Sequence, residues 1–258
     1  MRSKLALLLL GVFLLLSGCH QTEQQGIPSG EAPSVEVIET TTPPEIEPPQ
    51  TTAATETTPE TTEPQQPFVY HGLTELSAWD DSILVDQRYA TAENFTGMQQ
   101  YDRTLCLVNE DIVPMLMQAS ELAKEHGFRL KIWDAYRPIS VQQALHDSAP
   151  AELSAYVPAP GPYSMHARGI TVDVTLCDMY GNELDMPTAF DDFSVAAHSD
   201  YTGASAEQIA NRELLNEIMS TAGFTRSRLE WWHFDGPNRD NYEILDISFQ
   251  EFEDAKQK

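Results

Sequence analysis

The sequence predicts an α+β domain between residues 67 and 258. Helical stretches are interspersed with short strands there, and their order lacks the regular strand-helix-strand repeat of a parallel α/β fold. An apolar leader and a long stretch rich in Thr, Pro and Glu precede this region. Residues 67–258 are enough for one domain with a sizeable hydrophobic core.

The first helix and strand of the domain have clear boundary signals. Asn109 or Asp111 can cap a helix that has Pro114 in its first turn and ends at Gly127. Residues 129–134 alternate apolar and polar side chains, which is typical of a strand with one buried face.

A second strand carries an acidic residue. A helical stretch at 141–146 is followed by a loop rich in Pro and Ala, and residues 170–176 then alternate strictly. One face of this predicted strand is apolar, and the opposite face contains Asp173.

The last two predicted elements are a helix and a strand. Ser205 and Gln208 form a capping-box pattern at the start of a helix that ends at Gly223. Residues 228–234 are rich in apolar and aromatic side chains, which predicts a final core strand.

Residues 1–19 have the features of a bacterial export signal. Two basic residues precede an apolar run from Leu5 to Leu16, which is too short to cross a bilayer as a helix. The sequence Leu16-Ser17-Gly18-Cys19 resembles a lipobox, which predicts acylation of Cys19 and an extracytoplasmic protein anchored by lipid to the bacterial cell membrane. The alternative is an ordinary secreted protein cut near this cysteine.

Residues 20–66 predict a solvated tether between this anchor and the domain. From residue 21 onward the segment has no aromatic residue, no Lys and no Arg, so it cannot bury enough apolar surface to offset the entropy of ordering. An O-glycosylated stalk is an equally compatible interpretation.

The charge and the cysteines narrow the choice of partners. The formal net charge is −25, so we expect no binding to nucleic acid.

Outside the cell Cys106 and Cys177 could form a disulfide, but the sequence does not decide whether they do.

Two of the seven histidines lie in a pattern with acidic residues. His166 precedes Asp173 by seven positions, and His233 follows Glu230 by three. A zinc hydrolase needs three imidazole or carboxylate ligands and an open position for water, with a nearby base. His166, Asp173 and His233 could supply the ligands, and Glu230 the base.

Regular strands would not bring these groups together. Residues seven or three positions apart on a strand point to opposite faces. A shared site therefore requires a bend at Gly169, with His166 on a loop, and a turn or bulge at Trp231-Trp232. Otherwise these groups are solvated polar side chains.

Five segments, in the same order along the chain, resemble the D-Ala-D-Ala dipeptidases of the VanX type. The resemblance implies a single zinc D,D-peptidase domain of the hedgehog/D,D-peptidase-like fold, with a central antiparallel sheet flanked by helices. The wider family includes D,D-carboxypeptidases and peptidoglycan endopeptidases. The segments are Tyr89–Thr91 with Asn94–Gly97, Trp133–Pro138, Ser164–Leu176, Asn211–Phe224 and Leu229–His233.

The resemblance implies roles for individual residues. His166, Asp173 and His233 resemble the ligands of one Zn2+ per domain, and Glu230 resembles the general base. Arg137 resembles an arginine that stabilises the oxyanion, whereas without the resemblance a structural arginine paired with an acid is the favoured interpretation.

The resemblance also implies a site for both ends of a dipeptide. Tyr89 and Asp191 resemble groups that bind the substrate ammonium, and Ser164 one that binds near its carboxylate. The neighbouring Asp192 leaves the choice of Asp191 open.

The activity that the resemblance implies is hydrolysis of D-Ala-D-Ala to two D-alanines. The segment between Arg137 and His166 is shorter than in VanX-type enzymes, where it contributes to a lid, and a reduced lid could admit longer peptides. The alternatives are a D,D-carboxypeptidase or endopeptidase on peptidoglycan stem peptides and a non-catalytic, zinc-containing cell-wall binding module. Trp231 and Trp232 are expected in the core, with at least one forming a wall of the pocket.

Overall fold

A five-stranded sheet is the centre of the structure, a computed structural model that describes residues 66–258. Neighbouring strands are antiparallel, except that the edge strand Leu84–Val85 is parallel to Arg129–Asp134. The predicted α+β class with a central sheet is confirmed, and its only parallel pair within the described residues involves a two-residue edge strand. In spatial order the strands are β3 (Leu84–Val85), β5 (Arg129–Asp134), β6 (Thr171–Cys177), β8 (His233–Asp235) and β7 (Thr225–Arg226).

A smaller antiparallel sheet supports the loops beside the central one. It consists of β1 (Val69–Tyr70), β2 (Leu73–Glu75) and β4 (Leu107–Asn109). The backbone N–H of Asn109 donates to the carbonyl of Gly169 over 2.7 Å. This bond attaches the small sheet to the turn that leads into β6.

Four α-helices complete the fold of residues 66–258, and the three predicted ones are confirmed. They are α1 (Val113–Glu125), α2 (Ile139–Ser148), α3 (Ala206–Thr221) and α4 (Phe249–Lys256). A 3-10 turn capped by Asn109 leads into α1, and both bonds of the predicted capping box are present at the start of α3. In the part of the chain from residue 66 onward, no helix has the length and apolar character needed to cross a membrane.

Strand β6 is buried on both faces, which differs from the one-sided burial that the alternation suggested. Val172 and Val174 join the hydrophobic core, which also contains residues of α1 and α3. The polar side chains are also covered: Thr171 and Thr175 are 0% exposed and Asp173 is 3% exposed. The acidic side chain therefore faces an enclosed site and not bulk solvent.

The strand predicted over 228–234 is wrong for most of its length. The strand is confined to His233–Asp235, and the chain forms bends and turns from residue 228 to residue 232. The N–H of Trp231 donates to the carbonyl of Ala197 and not to a neighbouring strand. This turn buries both Trp231 and Trp232, whereas a regular strand would direct them to opposite faces.

Among the described residues, Cys106 and Cys177 are buried, free thiols. Burial raises the pKa of the Cys177 thiol, which keeps it protonated near neutral pH. The predicted signal, the lipidated Cys19 and nearly all of the predicted tether lie outside the described residues.

Candidate active site

His166, Asp173 and His233 converge at one place on the sheet. Each offers a ligand atom, and these atoms all lie within 4.8 Å of one another. Asp173 lies within β6 and pairs in register with His233, the first residue of β8. The cross-strand pair therefore supplies two of the three predicted ligands.

The third predicted ligand, His166, reaches the site through the bend expected at Gly169. His166 begins a 3-10 turn that ends at Gly169, whose φ is +69°. A Cβ at this glycine would lie 2.8 Å from Leu73 Cδ2 and 3.0 Å from the Asn109 nitrogen, so both the backbone angle and the space require glycine. The bend at Gly169 and the turn at Trp231-Trp232 together explain how residues that regular strands would point to opposite faces reach one site.

A backbone contact orients the His166 ring. Its Nδ1 lies 2.7 Å from the carbonyl oxygen of Ala135, which can only accept a hydrogen bond. Nδ1 therefore carries the proton, and the Nε2 lone pair faces Asp173, with Oδ2 3.5 Å away. This is the tautomer that a metal ligand needs.

His233 lies between two carboxylates. Its Nδ1 is 3.0 Å from Asp173 Oδ1, and its Nε2 is 3.1 Å from Asp235 Oδ1. Burial works to lower the pKa of His233, but the hydrogen bonds and charges of the two carboxylates outweigh it and raise the pKa well above its ordinary value. The site thus favours a positive charge at this position.

Asp173 remains ionised in spite of its burial. Burial works to raise its pKa, but the charges and hydrogen bonds of His166 and His233 outweigh this effect and hold the pKa well below its usual range. A buried anion with two imidazoles around it is a donor set that suits a divalent cation such as zinc.

Glu230 lies beside this cluster, with Oε2 3.9 Å from His233 Nδ1. Burial is the main cause that raises its pKa to about 8, and Asp173 and Asp191 add to the shift against the opposing effect of His233 and Arg137. A carboxyl group that titrates near neutral pH is matched to general acid-base work.

Arg137 is a fixed cation at the same site. Its Nε and Nη2 donate to Asp134 Oδ2 over 3.0 and 2.6 Å, and its Nη1 donates to Gln142 Oε1 over 2.7 Å. The guanidinium also lies 4.9 Å from the centre of the Tyr89 ring. Arg137 is therefore paired with an acid, as a structural arginine would be, and it also lies at the predicted reaction site.

Tyr89 and Asp191 form a hydrogen-bonded pair. The Tyr89 hydroxyl donates to Asp191 Oδ1 over 3.1 Å, and the backbone N–H of Phe95 donates to Oδ2 over 3.3 Å. Burial raises the pKa of Asp191 to about 7, and its backbone has a positive φ of 58°. Asp192 instead accepts a bond from the N–H of Ser194, so the cavity is lined by Asp191.

One cavity, with a volume of about 440 Å³, unites the predicted site. The segment between Arg137 and His166 forms one wall through residues 155–158. Neither Trp231 nor Trp232 lines the cavity, so the prediction that at least one forms its wall is wrong, because both are committed to the core. All eight predicted metal, catalytic and substrate residues do line it: Tyr89, Arg137, Ser164, His166, Asp173, Asp191, Glu230 and His233.

Comparison with known proteins assigns the family. A family model described as D-ala-D-ala dipeptidase, of the M15 peptidases, matches residues 71–254. The chain belongs to this family. Its relatives include the D-alanyl-D-alanine dipeptidase of Escherichia coli, 34% identical over 180 residues that cover 70% of this chain and 92% of the relative. The corresponding enzyme of Enterococcus faecium is 30% identical over 193 residues that cover 66% and 96%.

Two solved structures, of the vancomycin resistance D,D-pentapeptidase VanY and of VanYB, are also similar. A VanY mutant in complex with Zn(II) has a TM-score of 0.36 and 18% identity and covers 61% of this chain and 88% of that chain. A complex with D-alanine-D-alanine has a TM-score of 0.35 and 19% identity, with coverages of 62% and 88%. The family membership itself confirms the predicted class, a peptidase of the D,D-peptidase type.

Two residues of this D,D-peptidase site escaped the sequence analysis. Asp235 lies across from Thr171 in the ladder and accepts from its hydroxyl over 2.7 Å as well as bonding His233. Its position two residues after His233 on one strand face was the available signal. Arg239 also lines the cavity, but it lies on a separate loop, and no local pattern connects it to the site.

Proposed function

We propose that this D,D-peptidase hydrolyses the free dipeptide D-Ala-D-Ala to two molecules of D-alanine, with one Zn2+ held by His166, Asp173 and His233. The convergence of these three side chains beside Glu230 carries the proposal. The dipeptidase relatives support the choice of substrate.

The donors present fit zinc. Two imidazoles and one carboxylate are a common ligand set of hydrolytic zinc sites, and His166 and His233 each bond through the other ring nitrogen to a fixed oxygen, of Ala135 and Asp235 respectively. When bound, zinc would supply Lewis-acid chemistry that makes water more acidic and polarises a carbonyl.

Glu230 would act on the protons of the reaction. Its carboxylate removes a proton from the water molecule as the water oxygen bonds to the peptide carbonyl carbon. The same carboxyl group then gives this proton to the leaving nitrogen as the carbon-nitrogen bond breaks. Burial raises the pKa of Glu230 above that of an ordinary carboxyl group, which makes its carboxylate a stronger base.

Arg137 would stabilise the negative charge that develops on the carbonyl oxygen during the reaction. The carbonyl oxygen gains negative charge as water adds, and a guanidinium that is already fixed needs no reorganisation to stabilise it. Asp134 and Gln142 hold Arg137 in place. Burial works against the charge of Arg137, but Asp134 and its other neighbours outweigh burial and raise its pKa well above the ordinary value.

Asp191 and Tyr89 would select a free amino terminus. We expect free D-Ala-D-Ala to be cleaved with a kcat/KM at least ~10²-fold above that of its N-acetyl form, because a buried carboxylate left without its ammonium partner penalises the blocked peptide. Steady-state kinetics on both compounds measures this ratio. In the matched variant Asp191→Asn the ratio should fall toward one.

The N-acetyl comparison also tests the rival activity. A D,D-carboxypeptidase acts on peptides whose amino end is already bonded, so it has no use for an ammonium site. Equal efficiency on the free and blocked dipeptides, in the wild-type protein, would favour the carboxypeptidase over the dipeptidase.

We further propose that the enzyme works outside the cell on a lipid anchor at Cys19, which the lipobox-like sequence and the following tether support. Cys19→Ala should remove metabolic labelling by a radioactive fatty acid and release the protein or leave its precursor unprocessed. The control Ser17→Ala keeps a small residue in the motif and should keep the label. Label retained by Cys19→Ala would contradict the anchor.

A further inference from the structure

A second arginine stands at the cavity and has no role in the chemistry described above. Arg239 lines the cavity, and its guanidinium lies 4.8 Å from the centre of the Tyr163 ring, which also lines it. Tyr163 directly precedes Ser164, the residue expected near the substrate carboxylate. The guanidinium of Arg239 and the hydroxyl of Ser164 therefore belong to the same part of the cavity.

The two loops that carry this pair are fastened to the turn of His166. Arg168, in that turn, is 8% exposed, and its Nη2 donates to the carbonyl of Pro162 over 2.8 Å. Its Nη1 donates to the carbonyl of Tyr242, on the loop of Arg239. A buried side chain thus holds both loops at a fixed place relative to a metal ligand.

The cavity needs a cation if it is to accept a peptide carboxylate. Four carboxyl groups line it, namely Asp173, Asp191, Glu230 and Asp235, and the negative charge of those that are ionised opposes the entry of a substrate carboxylate. Arg137 is the other arginine in the lining. All three of its guanidinium nitrogens donate to Asp134 and Gln142, and in the proposed reaction its remaining N–H groups stabilise the oxyanion. The substrate carboxylate therefore requires a different cation.

Arg239 has N–H groups that are available to bind a substrate. Its Nε pairs with Asp240, an exposed carboxylate, over 3.0 Å. Within residues 66–258, Nη1 and Nη2 have no hydrogen-bond or ion-pair partner. These two nitrogens form a planar fork that matches the two oxygens of a carboxylate.

The placement also agrees with the direction of a bound dipeptide. An ammonium at Asp191 puts the carboxylate at the opposite end of the molecule. Asp191 bonds to Tyr89 and Phe95, and neither belongs to the loops of Tyr163 and Arg239. Asp191 at one end of the cavity would then bind the ammonium of a zwitterionic dipeptide, and Arg239 at the other end would bind its carboxylate.

We propose that Arg239, held against Tyr163, binds the free C-terminal carboxylate of the D,D-peptide and selects substrates that end in one. This inference rests on the proposed function. Tyr163 positions the guanidinium through the face of its ring, and Ser164 adds a hydroxyl donor to the same carboxylate.

The test compares D-Ala-D-Ala with D-Ala-D-alaninamide, in which an uncharged amide replaces the carboxylate. The wild-type full-length protein should prefer the acid, and Arg239→Gln should lower kcat/KM for the acid about 10-fold, mainly through KM, with little change for the amide. Arg239→Lys should restore part of the preference. The wild-type KM for the acid should rise with ionic strength more than that of Arg239→Gln.

Two controls on Arg239→Gln separate the possible outcomes. Zinc content and the preference for a free amino terminus should be unchanged in Arg239→Gln, because those depend on other residues. An unchanged acid-to-amide ratio in this variant, or an equal loss on both substrates, would overturn the assignment of Arg239 alone. A wild-type protein that cleaves neither compound would overturn the proposed function and this inference with it.

Discussion

Replacing Glu230 by Gln should lower kcat for D-Ala-D-Ala by ~10²- to 10⁴-fold, while the protein still binds one equivalent of zinc. Glutamine keeps the size of the side chain but cannot accept and return a proton. Glu230 is close to His233, at 3.9 Å, but it is not needed to complete the set of three ligand atoms. Turnover measured by D-alanine release, together with elemental analysis, separates the two effects.

The control for Glu230→Gln is Glu207→Gln, which makes the same change at an exposed position in the first turn of α3. Its kcat should equal that of the wild type. A Glu230→Gln protein that turns over at the wild-type rate would show that another group moves the proton.

Replacing His166 by Ala should remove both the zinc and the activity. Two remaining ligands, Asp173 and His233, hold zinc much more weakly than three. We expect less than ~0.1 equivalent of zinc after dialysis against a mild chelator and D-alanine release at the level of the uncatalysed control. His166 lies on a short turn, so circular dichroism should show a folded protein.

His126→Ala provides the matched comparison for the ligand variant. His126 is exposed at the end of α1, far in sequence from the ligands, and its loss should leave zinc content and turnover unchanged. Full zinc occupancy in His166→Ala would mean that the ligand set has been chosen wrongly.

Much of the site was predictable because incompatible spacings required specific bends. His166 and Asp173 could share a site only if the chain bent at Gly169, and the positive φ of 69° at that glycine is the bend. The same reasoning placed a turn at the tryptophans, although the apolar pattern of 228–234 also suggested a strand there. Periodicity does not distinguish these cases, because a turn that buries two tryptophans has the same composition as a core strand.

The parts that were missed depend on contacts between distant segments. Asp235 bonds to Thr171 across the sheet, and Arg239 meets Tyr163 through two loops that Arg168 joins. The periodicity of apolar residues within one segment does not indicate which distant segment will contact it. Burial of the polar face of β6 was missed for the same reason, since the covering segments lie elsewhere in the chain.

The most direct test of the central claim measures D-alanine released from D-Ala-D-Ala by the full-length protein before and after its metal is removed. We predict two D-alanines per dipeptide from the protein with one zinc, loss of activity in the stripped protein, and recovery on addition of one equivalent of zinc. No D-alanine from the protein with one zinc, or an undiminished rate after the metal is removed, would contradict the account.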